Sequence, residues 1–185
     1  MIDKKKVEEA IALLLAGLGE DGGREGLQET PRRIARMYEE IFAGMEDDAA
    51  MHLGKTFAAA DNEMVVMRDI VFYSVCEHHL MPFFGQAHVA YIPDGRVVGL
   101  SKLARTVEVF ARRLQLQEQM TAQIAEAIMI HLQPKGVMVM VEAEHLCVTM
   151  RGVMKPGNQT ITTVMKGAFI DNERLQGLFF KMVKG

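Results

Sequence analysis

Residues 63–93 read EMVVMRDIVFYSVCEHHLMPFFGQAHVAYIP. Residues 63–75 are rich in β-branched and aromatic side chains and alternate with a period near two, the pattern of a strand. Residues 85–93 repeat that pattern. Between them lies SVCEHHLMPFFG (74–85), which holds Cys76, Glu77, His78 and His79, and the chain has only two cysteines. The two runs are expected to pair antiparallel, with the Cys-His segment at the turn. Three readings of that segment compete: a metal site, a catalytic cluster, or a polar turn with no chemistry.

Outward from this pair, DGR (94–96) reads as a turn, followed by VVGLSK (97–102). SKLARTVEVFARRLQ (101–115) reads as a helix that Ser101 could cap. QEQMTAQIAEAIMIHLQ (117–133) reads as a second helix, stopped by Pro134 and Gly136. GVMVMVEAEHLCVTMRG (136–152) alternates throughout and reads as one long strand. TITTVMKGAF (160–169) reads as a fourth strand, and NERLQGLFFKMV (172–183) as a short terminal helix. Upstream, residues 3–18 have helical apolar spacing, 19–26 form a Gly-rich loop, and Thr30-Pro31 opens a helix to about Phe42. Residues 45–62 show little period and read as a connection.

The order predicts an α+β fold. A four-stranded antiparallel sheet (ββααββ) carries a helix pair on one face and an N-terminal helical extension. The division expected is an extension over 1–60 and a core over 61–185 that forms one structural unit. Neither sheet edge is guarded by proline or a run of lysines, so pairing with neighbouring subunits is expected.

The chain has 185 residues and a formal net charge of −3, which excludes a broadly basic surface and argues against nucleic acid as a partner. No apolar run approaches the roughly 20 residues that span a bilayer, so no membrane partner is expected. MIDKKKVEEAIALLLAG is read as an amphipathic helix rather than a leader, because Glu8 and Glu9 interrupt it. A cytoplasmic protein with two unpaired cysteines is expected.

Cys76 and His79 have C-x-x-H spacing, and two ligands do not hold zinc. The only other cysteine, Cys147, lies on the alternating run with His145 two residues before it. On a strand these two would share a face. Cys76, His79 and Cys147 together would make a Cys2His set, a pattern of catalytic zinc. A closed structural site would need His78 or His145 as a fourth ligand. Each residue also has a plainer reading: Cys147 as a buried apolar side chain, and His145 as a satisfied sheet residue. His88, His52 and His131 are read as structural.

A second group is cationic. Ser101, Lys102 and Arg105 open a helix, where free N–H groups and the dipole favour anions. Arg151 and Arg33 join them as candidates for a phosphate cradle. The plainer reading is a solvated basic surface. Gln117 and Glu118 stand at the junction of the two core helices. A carboxylate there could accept a pair of N–H bonds from a purine, or simply favour the helix start.

Several stretches in register then resemble one family, type I GTP cyclohydrolase. These are CEHHLMPFFGQAHVAYIP (76–93), GLSKLAR (99–105), ARRLQLQEQMT (111–121), HLCVTMRGV (145–153) and REGLQETPRRIARMY (24–38). The resemblance implies zinc-dependent hydrolytic opening of the guanine imidazole ring of GTP at C8. Formate leaves and 7,8-dihydroneopterin triphosphate forms, the first step of folate and pterin synthesis. It implies Zn2+ on Cys76, His79 and Cys147, with His145 protonating N7, and His78 and Ser101 serving the ribose steps. Glu118 would recognise guanine, with Gln117 beside it. Lys102, Arg105, Arg151 and Arg33 would bind the triphosphate. It also implies the tunnelling fold and a homo-oligomer, a decamer of two stacked pentamers with active sites between subunits. A related enzyme acting on another purine or pterin, and a non-catalytic zinc-stabilised nucleotide binder, are the competing readings. The phosphate-binding cations disfavour the first, and intact His78 and His145 disfavour the second.

Overall fold

The computed structural model describes residues 2–185. Two helices lead, α1 (Lys4–Gly17) and α2 (Thr30–Ile41), packed against each other. Asp3 caps α1 by accepting from the Lys6 amide at 3.1 Å. At α2 the cap position falls on Glu29 rather than Thr30, so Pro31 lies one place further into the helix than its spacing predicts.

The segment read as a plain connection is partly ordered. It holds a 3-10 turn Ala43–Met45, helix α3 (Ala49–Leu53) and strand β1 (Thr56–Ala58). Asp48 caps α3 through the Ala50 amide at 2.9 Å. Strand β1 pairs with β4 (Arg96–Val98), a partnership between 40-residue-distant segments that local periodicity does not report.

The core is the expected ββααββ unit. Strand β2 (Val65–Cys76) pairs antiparallel with β3 (Pro82–Ile92), β3 with β6 (Gly136–His145), and β6 with β7 (Thr160–Gly167). Helices α4 (Leu100–Ala111) and α5 (Gln117–Leu132) cover one face through Leu103, Val107, Met120, Ile124 and Ile128. The C-terminal helix α7 (Glu173–Lys184) belongs to a second cluster on the other face, where Phe179 and Val183 meet Ala90, Met138 and Met140. Cover on both faces explains why β6 is buried without a break from Gly136 to Val141.

The sheet has one more strand than expected. Leu114 and Gln115 form a two-residue strand, β5, parallel to Val75 and Cys76, giving the order β5-β2-β3-β6-β7. The other correction is at the end of β6. The alternating run stops being a strand at His145, and Leu146–Thr149 form a single helical turn, α6. The physical reason is partnership: β7 pairs no further than Ala143, and β3 no further than His145. Beyond that point the backbone has no ladder and satisfies itself locally, as in the Met150 amide donating to the Leu146 carbonyl at 3.1 Å. Ser101 is likewise not the cap of α4; Gly99 takes that place and Ser101 is the second helical residue.

Within β2 a bulge separates Met67 from Ile70, and Asp69 there has φ 60°. The Asp69 amide donates to Nδ1 of His88 at 3.2 Å. His88 is buried, and its Nε2 donates in turn to Glu142 Oε1 at 3.1 Å.

Strands β3 and β6 approach closely at Gly85. A methyl placed there would meet the Glu142 carbonyl oxygen at 1.9 Å and Ala143 Cα at 2.7 Å. Both are backbone atoms in the ladder and cannot swing aside. Gly85→Ala is therefore expected to destabilise the chain by about 3 kcal/mol or more. Urea titration of the two proteins checks this, and equal midpoints would refute it. Among the described residues, no helix is long and apolar enough to cross a membrane.

Candidate metal centre and active site

Cys76 is the last residue of β2, buried in the main core. The chain then turns tightly: the Leu80 amide donates to the Cys76 carbonyl at 2.9 Å, and Leu80 has φ 52°. This turn brings His79 Nδ1 to 3.8 Å from Cys76 Sγ. Strand β5 braces the turn from outside, since the Glu77 amide donates to the Gln115 carbonyl at 3.1 Å. Gln115 is itself pinned, its amide nitrogen donating to the Phe110 carbonyl and to Gln123 Oε1, each at 2.8 Å.

Cys147 reaches the same place from the one-turn helix after β6. The ligand atoms of Cys76, His79 and Cys147 all lie within 4.8 Å of one another. Cys147 is partly buried, and burial together with the neighbouring Cys76 pushes its thiol pKa up; the Arg151 charge works weakly the other way. Two thiols and one imidazole so close together form a soft donor set that suits a zinc-like cation.

His145 stands at the end of β6, opposite Phe83 in the ladder. The two rings stack with centroids 4.6 Å apart and planes 2° from parallel. Its Nε2 is 2.7 Å from Gln117 Oε1. Burial lowers the His145 pKa, and the Glu118 carboxylate partly opposes the shift. The ring is thus biased toward neutrality.

Gln117 is the first residue of α5 and only 1% exposed. Its amide nitrogen lies 3.0 Å from the Val141 carbonyl, 3.0 Å from the Thr160 carbonyl and 3.1 Å from Thr162 Oγ1. Thr121 Oγ1 lies 2.7 Å from Thr162 Oγ1 and 2.7 Å from the Gln117 carbonyl. Neither threonine stands out in the sequence: one lies on an apolar helix and the other in an alternating strand.

One chain therefore gathers Cys76, His79 and Cys147, with Arg151 close enough to act on Cys147, and sets His145, Gln117 and Glu118 together. His78 is exposed on the turn, its ring centroid 6.2 Å from that of His79. Lys102 is half-buried on α4, Arg105 is exposed near the Asp47 carboxylate, and Arg33 is exposed on α2. Among the described residues, no hydrogen bond or ion pair joins Ser101, Lys102, Arg105 or Arg33 to the thiol cluster. Of the histidines read as structural, His52 pairs with Asp47 at 2.8 Å, and His131 lies in the last turn of α5.

Comparison with known proteins bears on the family of the chain. The family model described as GTP cyclohydrolase I matches residues 7–184. The GTP cyclohydrolase 1 of Clostridium perfringens (strain 13 / Type A) is 57% identical over 183 residues, covering 99% of each chain. That of Carboxydothermus hydrogenoformans is 59% identical over 170 residues, 91% of this chain and 88% of the other. That of Streptococcus sanguinis (strain SK36) is 54% identical over 182 residues, 98% and 99%. With a family match across nearly its whole length and relatives of this identity and coverage, the chain belongs to the GTP cyclohydrolase I family.

Proposed function

We propose that this protein is a zinc-dependent GTP cyclohydrolase I. It would open the imidazole ring of GTP at C8, taking up one water overall, releasing formate and leaving 7,8-dihydroneopterin triphosphate. The observation that carries the reading is the Cys76, His79 and Cys147 donor set, gathered within 4.8 Å in a chain that also pairs His145 with Gln117. Those three residues would hold zinc, which when bound supplies Lewis-acid activation of water near neutral pH.

The other roles fall to the chain's own groups. Glu118 accepts hydrogen bonds from the guanine N–H groups. His145, kept neutral by burial, holds and passes the proton at N7. Phe83, stacked on its ring, fixes the plane in which that proton moves. His78 and Ser101 serve the ribose steps that follow ring opening. Lys102, Arg105, Arg151 and Arg33 hold the triphosphate, which is not cleaved.

Among the described residues no hydrogen bond or ion pair joins Lys102 or Arg105 to the thiol cluster, which supports a site completed by a neighbouring subunit. The open edge strand β7, with Ile161 exposed, supports sheet pairing between copies. A decamer of two stacked pentamers is the assembly proposed. Residues 61–185 would carry the core and 1–60 the helical extension, and the protein would act in the cytoplasm in folate or pterin synthesis.

Incubation of zinc-loaded protein with GTP tests the function. Formate release with matching growth of pterin absorbance is expected. GTP recovered intact from a zinc-loaded, assembled protein would refute it.

A further inference from the structure

The hydrogen bonds around Gln117 admit one direction only. The side-chain atom facing the Val141 and Thr160 carbonyls must be the amide nitrogen, because a carbonyl oxygen offers no hydrogen to share. The other amide atom, the one 2.7 Å from His145 Nε2, is therefore an oxygen and only accepts. Nε2 of His145 must then carry a hydrogen. The threonine pair is ordered in the same way. Thr121 donates to the Gln117 carbonyl at 2.7 Å, so its oxygen accepts from the Thr162 hydroxyl, and Thr162 Oγ1 is the third acceptor, beside the Val141 and Thr160 carbonyls, that shares the two hydrogens of the Gln117 amide. Thr121 is 0% exposed, so water does not compete for these bonds.

From this we infer that Gln117 is a positioning residue: held by two backbone carbonyls and the Thr121–Thr162 hydroxyl pair, it fixes neutral His145 as the Nε2–H tautomer, so that the proton exchanged with substrate is carried at Nδ1. The inference rests on the proposed reaction only for the identity of that substrate. In the cycle, Nδ1 takes a proton from solvent water and the ring becomes imidazolium, its Nε2–H still bonded to Gln117 Oε1. Nδ1 then gives the proton to N7 of the base, and the ring returns to the tautomer it started from. Gln117 need not touch the base for this. It differs in this from the pocket role that resemblance alone implies.

The test uses zinc-loaded protein with 15N-labelled histidine, held about two pH units above the ordinary histidine pKa so that His145 is neutral. The His145 signals are assigned by their loss in His145→Asn. The expected result is a protonated Nε2 and a bare Nδ1 in the wild type. In Gln117→Met, which keeps length and removes the amide, both tautomers appear. There kcat for formate release falls about a hundred-fold while KM for GTP stays within about two-fold. A protonated Nδ1 in the wild type overturns the inference whatever the activity. So does a Gln117→Met protein with wild-type kcat, or one whose KM rises with kcat unchanged, since that marks a residue that binds the base. If Gln117→Met does not assemble, the wild-type nitrogen signals decide alone. A wild type that releases no formate removes the proposed reaction, while those signals still judge the tautomer.

Discussion

Cys147→Ser is expected to lose its zinc and to lower formate release from GTP by at least about a thousand-fold. Three side chains make up the donor set, and two of them are thiols. Serine keeps the size of the side chain but offers a hydroxyl that stays protonated near neutral pH. The remaining Cys76 and His79 make a two-ligand site, too few to retain zinc against a chelator. Zinc content per chain, measured after gel filtration, reads the loss directly, and an unchanged elution volume shows that assembly survives. Activity that persists with zinc bound would place the third ligand elsewhere.

The same site has a pH signature. Burial and the adjacent Cys76 hold the Cys147 thiol protonated in the metal-free chain. Metal must take both sulfurs as thiolates, so zinc uptake is expected to release about two protons per chain near neutral pH. Affinity should fall as pH falls, because each proton then competes with the metal. Calorimetry in buffers of differing ionisation enthalpy counts the protons.

The second large effect belongs to His145. His145→Asn is expected to cost about 10²- to 10⁴-fold in kcat, the range of a lost proton-transfer group, with zinc content unchanged. Asparagine can still reach toward Gln117 but cannot cycle a proton. The pairing of the two readouts matters. A fall in activity together with loss of zinc would make His145 a fourth ligand, the closed alternative that its spacing from Cys147 leaves open.

Much of this was legible in the chain itself. The period-two runs gave all four long strands, and the C-x-x-H turn pointed to Cys147 because no other cysteine existed. The errors lie where local pattern and partnership part company. Residues 146–152 keep the alternation of β6, yet Leu146–Thr149 turn helical because neither neighbouring strand extends far enough to pair with them. That turn, not a shared strand face, is what carries Cys147 to Cys76 and His79. Strand β5 was invisible because two residues make no period. Thr121 and Thr162 gave no signal because their hydroxyls act on a glutamine 4 residues away in one case and 45 in the other. Such a link exists only in three dimensions. The cations show the opposite limit: Lys102, Arg105 and Arg33 are conspicuous in sequence, and among the described residues no hydrogen bond or ion pair joins them to the thiols.

Strand β5 has a further consequence. One rung of backbone ties Cys76 to Gln115, and Glu118 follows three residues later. The span between the metal-binding turn and the carboxylate proposed to grip the base is thus set like the gap of a caliper, by a fixed length of main chain rather than by any side chain. One residue inserted between Gln115 and Glu118 would change that span while leaving every named functional group present in the chain.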